Sequence, residues 1–231
     1  MQLEGKVIVI TGASKGLGKA LAQRLAKEKA LLVLSARSGT LLQPLAKELD
    51  AAYFVGNVAS EKDMRALADV AIQKFGKLDI WINNAGAWSP LTSIYAFDTD
   101  RAKELIETNL FGTVFGAKAA TAHMLPRGEG TIINVLSTTA LDGKNKSAAY
   151  GADKFGARGF TLALREEMRE KNIRVIGVYP GGMRTDIFVE KPVEYESFLD
   201  PQLVAEKIVQ NLCLDTPAEE LVLRREEKSL H

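Results

Sequence analysis

The chain has 231 residues, 30 basic and 29 acidic, and a net charge of +1, which carries no nucleic-acid signature. Hydrophobic residues make up 46%, yet no apolar run approaches the roughly 20 residues that span a bilayer, so no membrane partner is expected. One cysteine and two histidines leave no internal disulfide, metal site or His-based triad, and the length suits one α/β domain over residues 1–231.

KVIVIT at 6–11 is a continuous β-branched run of the kind buried on both faces of a parallel sheet. The strand begins so soon after Met1 that no leader fits before it, and a cytoplasmic location is the expectation. TGASKGLG follows, with Gly12, Gly16 and Gly18 between the strand and a helix over 17–29. Glycines there permit a tight turn and bring a pyrophosphate close to a helix N-terminus. A lone glycine pattern is weak evidence, but here the strand before it and the amphipathic helix after it supply the context.

A second strand, 31–35, ends in SARS. An acidic residue at this strand end holds ribose hydroxyls, whereas a basic one suits a ribose phosphate. Ala36 and Arg37 occupy the place, and Lys15 in the glycine loop adds a second cation, so the pattern favours a 2′-phosphate. A helix over 41–49 accommodates Pro44 in its first turn. A third strand, 52–55, closes with GNV, and Ser60 caps a helix over 61–75 that Gly76 ends. A fourth strand, 78–83, leads into NNAG at 83–86. The carboxyl edge of a strand is where such sheets bind ligands, although Asn and Gly also suit an ordinary turn.

The periodicity predicts a long helix from 99 to 125, stopped by Pro126 and Gly128. Asn109 and Gly112 within it are poor interior choices, so a local reason retains Asn109. A fifth strand, 131–136, delivers Ser137, and a helix over 149–171 carries Tyr150 and Lys154. Their i,i+4 spacing stacks phenol and ammonium on one face, an arrangement that favours the phenolate. Taken alone, Tyr-x-x-x-Lys is common enough to be two surface residues. RVIGVY makes a sixth strand, PGGMRTD at 180–186 another glycine turn, Asp200 and Pro201 cap a helix to 212, and 220–223 a last short strand. Cys213 sits in that apolar helical pattern and is expected to be a buried spectator. The alternation predicts a doubly wound parallel sheet of about seven strands with helices on both faces.

TGASKGLG, NNAG, NLFGT, Ser137, YGADK and PGGMRT, in this order and at these distances, resemble the short-chain dehydrogenase/reductase family over essentially the whole chain. The resemblance implies a Rossmann-type NAD(P)-dependent oxidoreductase. By it Tyr150 is the general acid/base, Lys154 lowers its pKa and binds the nicotinamide ribose, Ser137 orients the carbonyl and Asn109 supports a proton relay. The cofactor set it implies is Gly12, Ser14, Lys15, Gly16, Leu17, Gly18, Arg37, Asn57, Val58, Asn84, Ala85, Gly86, Tyr150, Lys154, Pro180, Gly181 and Thr185. Asn57 stands where the family often has aspartate, and its amide oxygen can still accept from an adenine. Ala36, Arg37 and Lys15 resemble the NADP(H)-preferring members.

The implied reaction is reduction of a ketone or aldehyde, or oxidation of the alcohol, on a small or medium apolar molecule facing Trp88, Leu136, Leu141, Met183 and Phe188. Two alternatives stand beside it. One is a 3-oxoacyl carrier-protein reductase, which needs a basic rim such as Lys144 and Lys146. The other is a non-enzymatic NADP(H)-sensing protein on the same fold. A homo-oligomer, tetramer or dimer, is expected from the family, with small residues at 117–120 and 151–159 exposed for helix contact.

Overall fold

A computed structural model describes residues 2–90, 92–185 and 198–225. Seven parallel strands form one sheet in the order β3-β2-β1-β4-β5-β6-β7. They are β1 (Val7–Thr11), β2 (Leu31–Ala36), β3 (Ala52–Val55), β4 (Ile80–Asn83), β5 (Gly130–Val135), β6 (Ile173–Pro180) and β7 (Glu220–Leu223). The order reverses between β1 and β4, so the crevice above their carboxyl ends is the switch point at which such sheets take ligands.

The helices are α1 (Gly16–Lys27), α2 (Gly39–Glu48), α3 (Glu61–Phe75), α4 (Thr99–Leu105), α5 (Gly112–Met124), α6 (Ala148–Arg169) and α7 (Pro201–Cys213). β-Branched runs that are apolar at every position can be covered on both faces, and this is how they are used. In β1, Ile8 and Ile10 face the core beneath α1, α2 and α7, while Val7 and Val9 face the one beneath α3, α5 and α6. Caps set the helix ends. Ser60 accepts from the Asp63 amide at 3.2 Å, Gly76 adopts φ 75° after α3, and Asp200 accepts from Gln202 before Pro201 opens α7.

Four expectations are corrected. The long helix of 99–125 is interrupted over Ile106–Phe111 by a π-helical turn that contains Asn109. Pro44 lies in the interior of α2, not its first turn, since Ser38 caps the helix and it starts at Gly39. Ala117 and Ala120 are 1% and 0% exposed, because α5 turns them onto the sheet where a small side chain allows close approach. Cys213, the last residue of α7, is exposed rather than buried.

Candidate active site

The glycine loop between β1 and α1 is shaped by backbone constraints. Gly12 and Gly16 have φ of 65° and 55°, a region that side chains rarely adopt. A Cβ on Gly12 would lie 2.7 Å from the Ala85 Cα, so only glycine lets the loop reach the segment after β4. Asn84 stitches the two together, its Nδ2 donating to the carbonyls of Thr11 at 2.9 Å and Gly12 at 3.2 Å. The Thr11 hydroxyl in turn accepts from the amides of Asn84 and Ala85. Asn84 is therefore engaged in holding the loop, and Leu17, 4% exposed, is core.

The Ala13 amide donates to the Ser35 carbonyl, which sets the loop against the end of β2. Lys15 and Arg37 are both exposed there, and among the described residues neither forms an ion pair. Ser14 and Gly16 complete the turn, with Thr185 packed on it: a Cβ at Gly16 would lie 3.2 Å from Thr185 Cγ2. Asn57 is exposed beyond β3, and its Oδ1 already accepts from the Ala59 amide at 3.2 Å. Val58 is 7% exposed and packs against the start of α5 at Gly112. Pro180 closes β6, and the Gly181 amide donates to the Leu223 carbonyl. A nucleotide of the NAD(P) type fits these features: a left-handed glycine turn ahead of a helix N-terminus, with the exposed Lys15 and Arg37 beside it.

The second half of the site is buried at Asn109 and Lys154 and half-buried at Ser137 and Tyr150. Ser137 follows β5 and accepts from the Thr139 amide at 3.1 Å. Tyr150 and Lys154 project from the first turns of α6, Tyr150 half-buried and Lys154 6% exposed. The Lys154 Nζ lies 5.7 Å from the centroid of the Tyr150 ring, over its face, and no hydrogen bond joins it to the phenol oxygen. Burial raises the Tyr150 pKa, Asp153 raises it further, and the Ser137 hydroxyl opposes both. The net direction is therefore upward, where a phenol beside a lysine was expected to be lowered. The stacking predicted from i,i+4 spacing is present, but it sets the ammonium on the ring rather than at the oxygen. Burial also lowers the Lys154 pKa, against the attraction of Asp153. Gly86 keeps this corner open: a Cβ there would sit 3.3 Å from Asn109 Oδ1 and 3.9 Å from Lys154 Nζ.

Asn109 is 2% exposed, and the π turn aims its amide inward. It accepts from the Ala87 amide at 2.7 Å and donates to the Ala87 carbonyl at 3.0 Å and to Asp153 Oδ2 at 2.8 Å. A π turn spreads the helical ladder and is frequent at functional sites. Asn109, Ser137, Tyr150 and Lys154 are therefore brought to one corner beside Gly86, at the carboxyl edge of β4 and β5.

Sequence reasoning missed two features. Asp153 is fully buried between the Asn109 amide and Lys154; an acid adjacent in sequence to a lysine carries no helical-face signal. The other is a buried polar chain. Trp81 Nε1 donates to Asn83 Oδ1, Asn83 Nδ2 to Asn134 Oδ1 and the Thr113 carbonyl, and Asn134 Nδ2 to the Thr161 hydroxyl. It ties α5 and α6 to the middle of the sheet. An asparagine in the last two positions of each of two neighbouring strands was the available signal, since β4 and β5 register Asn83 against Asn134.

Residues 6–195 match the family model described as short chain dehydrogenase. The chain is 34% identical over 224 residues to YxnA of Bacillus subtilis (strain 168), an uncharacterized oxidoreductase, covering 90% of this chain and 63% of that protein's length. An alcohol dehydrogenase of the archaeon Thermococcus sibiricus, complexed with 5-hydroxy-NADP, is 28% identical with a TM-score of 0.88, covering 96% of this chain and 97% of that one. A metagenomic short-chain oxidoreductase in complex with NADP is 25% identical with a TM-score of 0.84, over 99% and 100% of the two chains. The glycine turn, the order of the seven strands and these likenesses agree: the chain belongs to the short-chain dehydrogenase family of oxidoreductases.

Proposed function

We propose that this chain is an NADP(H)-dependent oxidoreductase that reduces a ketone or aldehyde on a small or medium apolar molecule, and oxidises the alcohol in reverse. The observation that carries the reading is the corner where Tyr150, Lys154 and Ser137 meet Gly86 at the sheet's carboxyl edge. Lys15 and Arg37 would hold the 2′-phosphate, the glycine loop the pyrophosphate, Lys154 the nicotinamide ribose and Thr185 the carboxamide. When bound, NADPH supplies hydride to the carbonyl carbon.

The chain's own residues supply the proton. Ser137 donates a hydrogen bond that fixes the carbonyl oxygen, and Tyr150 delivers its proton to that oxygen as negative charge develops. Burial keeps Tyr150 in the phenol form at neutral pH. An alkoxide is a stronger base than a phenolate, so the proton moves even from a phenol of raised pKa. The Lys154 ammonium then stabilises the phenolate left behind. Leu136, Leu141 and Met183 remain candidate apolar lining; Phe188 lies outside the described residues.

A second reading, reduction of a 3-oxoacyl group on an acidic carrier protein, draws support from one cluster. Lys144, Arg224 and Arg225 lie close enough that both arginines lower the lysine's pKa, after burial as the main cause. Asp142 pairs with Arg224 at 3.1 Å, and the Arg225 guanidinium stacks 4.4 Å from the Phe198 centroid. Steady-state assays with NADPH, apolar ketones and aldehydes, and a 3-oxoacyl thioester separate the readings. Preferred turnover of the thioester would replace the first with the second, and NADPH binding without turnover of any carbonyl would favour a sensor.

The homo-oligomer is proposed through Phe111 and Phe155, which are 45% and 43% exposed on the π turn and α6. Light scattering at micromolar concentration checks it, and a monomer mass would remove it.

A further inference from the structure

Asp153 has no part in the proton transfer described above, yet it is buried close enough to Tyr150 and Lys154 for its charge to act on both. Its exposure is 0%. Oδ2 accepts from Asn109 Nδ2 at 2.8 Å, while Oδ1 has no hydrogen-bond partner. Leaving a buried acceptor unpaired costs about 1–3 kcal/mol, and more when it is charged. A serine or alanine at this helix position would avoid that cost, so helix packing alone does not account for an aspartate.

Its surroundings are specific. On α6 the neighbouring titratable groups are Tyr150 and Lys154, and Lys154 is the cation whose charge acts on it. The π turn presents the uncharged Asn109 amide, and Glu107 on the same turn is exposed. From β6, Tyr179 directs its hydroxyl to Glu220 at 2.9 Å. On α4, Arg101 pairs with Glu104 and Lys103 with Asp100, and on α5 Lys118 pairs with Glu61 and His123 lies 3.8 Å from Asp69.

A carboxylate in such a pocket raises the proton affinity of what stands beside it. For Lys154 this offsets burial, which by itself drives an ammonium toward the neutral amine. For Tyr150 it adds to burial and opposes the phenolate. Both effects point to one protonation state.

We propose that Asp153 is a positioning residue that holds the site in its proton-loaded form: its carboxylate keeps Lys154 an ammonium and Tyr150 a phenol, while Oδ2 fixes the Asn109 amide. This rests on the roles given above to Tyr150 and Lys154. The phenol is the form from which carbonyl reduction starts.

Asp153→Asn keeps the shape and the acceptor for Asn109 and removes only the charge. Two pH profiles are compared with the unmodified protein: kcat/KM for carbonyl reduction, and the NADPH dissociation constant from fluorescence titration without substrate. In the variant the alkaline loss of both should begin about one pH unit lower, because each neighbour loses the same stabilising charge. A packing role would change rate and affinity by one factor at every pH. Asp153→Ser is carried in parallel, and circular dichroism decides which variant is read. Alkaline limbs that stay in place, or move up, overturn the proposal while leaving the function intact. An unmodified protein that binds no NADPH overturns the function and this proposal together.

Discussion

Asp79 and Asp153 are both buried, at opposite ends of the sheet, and they are held in opposite ways. Asp79, just before β4, is 6% exposed and fully partnered: Oδ2 accepts from the Val7 amide at 2.8 Å and pairs with Lys77 at 2.9 Å, and Oδ1 pairs with Arg127 at 2.9 Å. Burial pushes its carboxyl up, but these partners outweigh it and leave the pKa lowered. Asp153 is equally enclosed, has one hydrogen-bonded oxygen, and is pushed up to about 6 by burial, against the pull of Lys154 and Asn109. The amino end of the sheet satisfies its charges and serves stability. The carboxyl end leaves a charge under-satisfied, as sites that must change protonation do.

The largest expected effect lies at the carboxyl end. Tyr150→Phe removes only the oxygen that carries the proton, so carbonyl reduction should fall ~100-fold or more while NADPH binding and the thermal transition stay in place. Near-normal turnover by this variant would end the proposed mechanism.

At the amino end the loss should instead be one of stability. Asp79→Ala leaves the Val7 amide unpaired, removes the carboxylate paired with Lys77 and leaves Arg127 with Glu129 alone, a cost of about 2 kcal/mol. Its native pKa is below the unfolded value of roughly 3.9, so the contribution is complete above that pH and disappears as pH falls through the native value. Chemical denaturation of both proteins from pH 7 down to pH 3 should show the gap closing.

Asp153 predicts the reverse slope. Its native pKa of about 6 exceeds the unfolded value, so the native state binds the extra proton and the unmodified protein loses stability as pH rises from about 4 to 6. Denaturation of Asp153→Asn over this window should lack that decline. Equal slopes for the two proteins would mean that the carboxyl titrates as in the unfolded chain.

A smaller effect is expected where charges face solvent. Arg37→Ala should weaken NADPH about ten-fold while leaving NADH affinity nearly unchanged, because the guanidinium would meet only the 2′-phosphate. Parallel dissociation constants for the two cofactors decide it. The smallest belongs to exposed pairs such as Lys103 with Asp100 on α4: Lys103→Ala should change stability by less than about 0.5 kcal/mol in a urea melt.

Strands and helices were legible because their signals are local. VIVI in β1 and GVY in β6 are apolar at consecutive positions, which suits only elements covered on both faces. Gly76, Ser60 and the Asp200-Pro201 pair mark ends through their own backbone preferences. Glycine turns are also local patterns, whereas the spacing of Ser137, Tyr150 and Lys154 is common in helical proteins and took its weight from the family resemblance of the whole motif set. Asn109 was noticeable as a misfit in a helix, though the π turn that makes sense of it was not.

Tertiary structure decided how charges and faces meet. Tyr150 and Lys154 stack at i,i+4 in any helix, but whether the phenol's pKa falls or rises depends on burial and on Asp153, and neither is encoded in spacing. Ala117 and Ala120 gave no sign of which way α5 would turn them. Asp79 and Asp153 are the same residue in the sequence. Dielectric surroundings and available partners are set by segments distant along the chain, Val7 and Arg127 for the first and Asn109 for the second, and those exist only once the sheet has assembled.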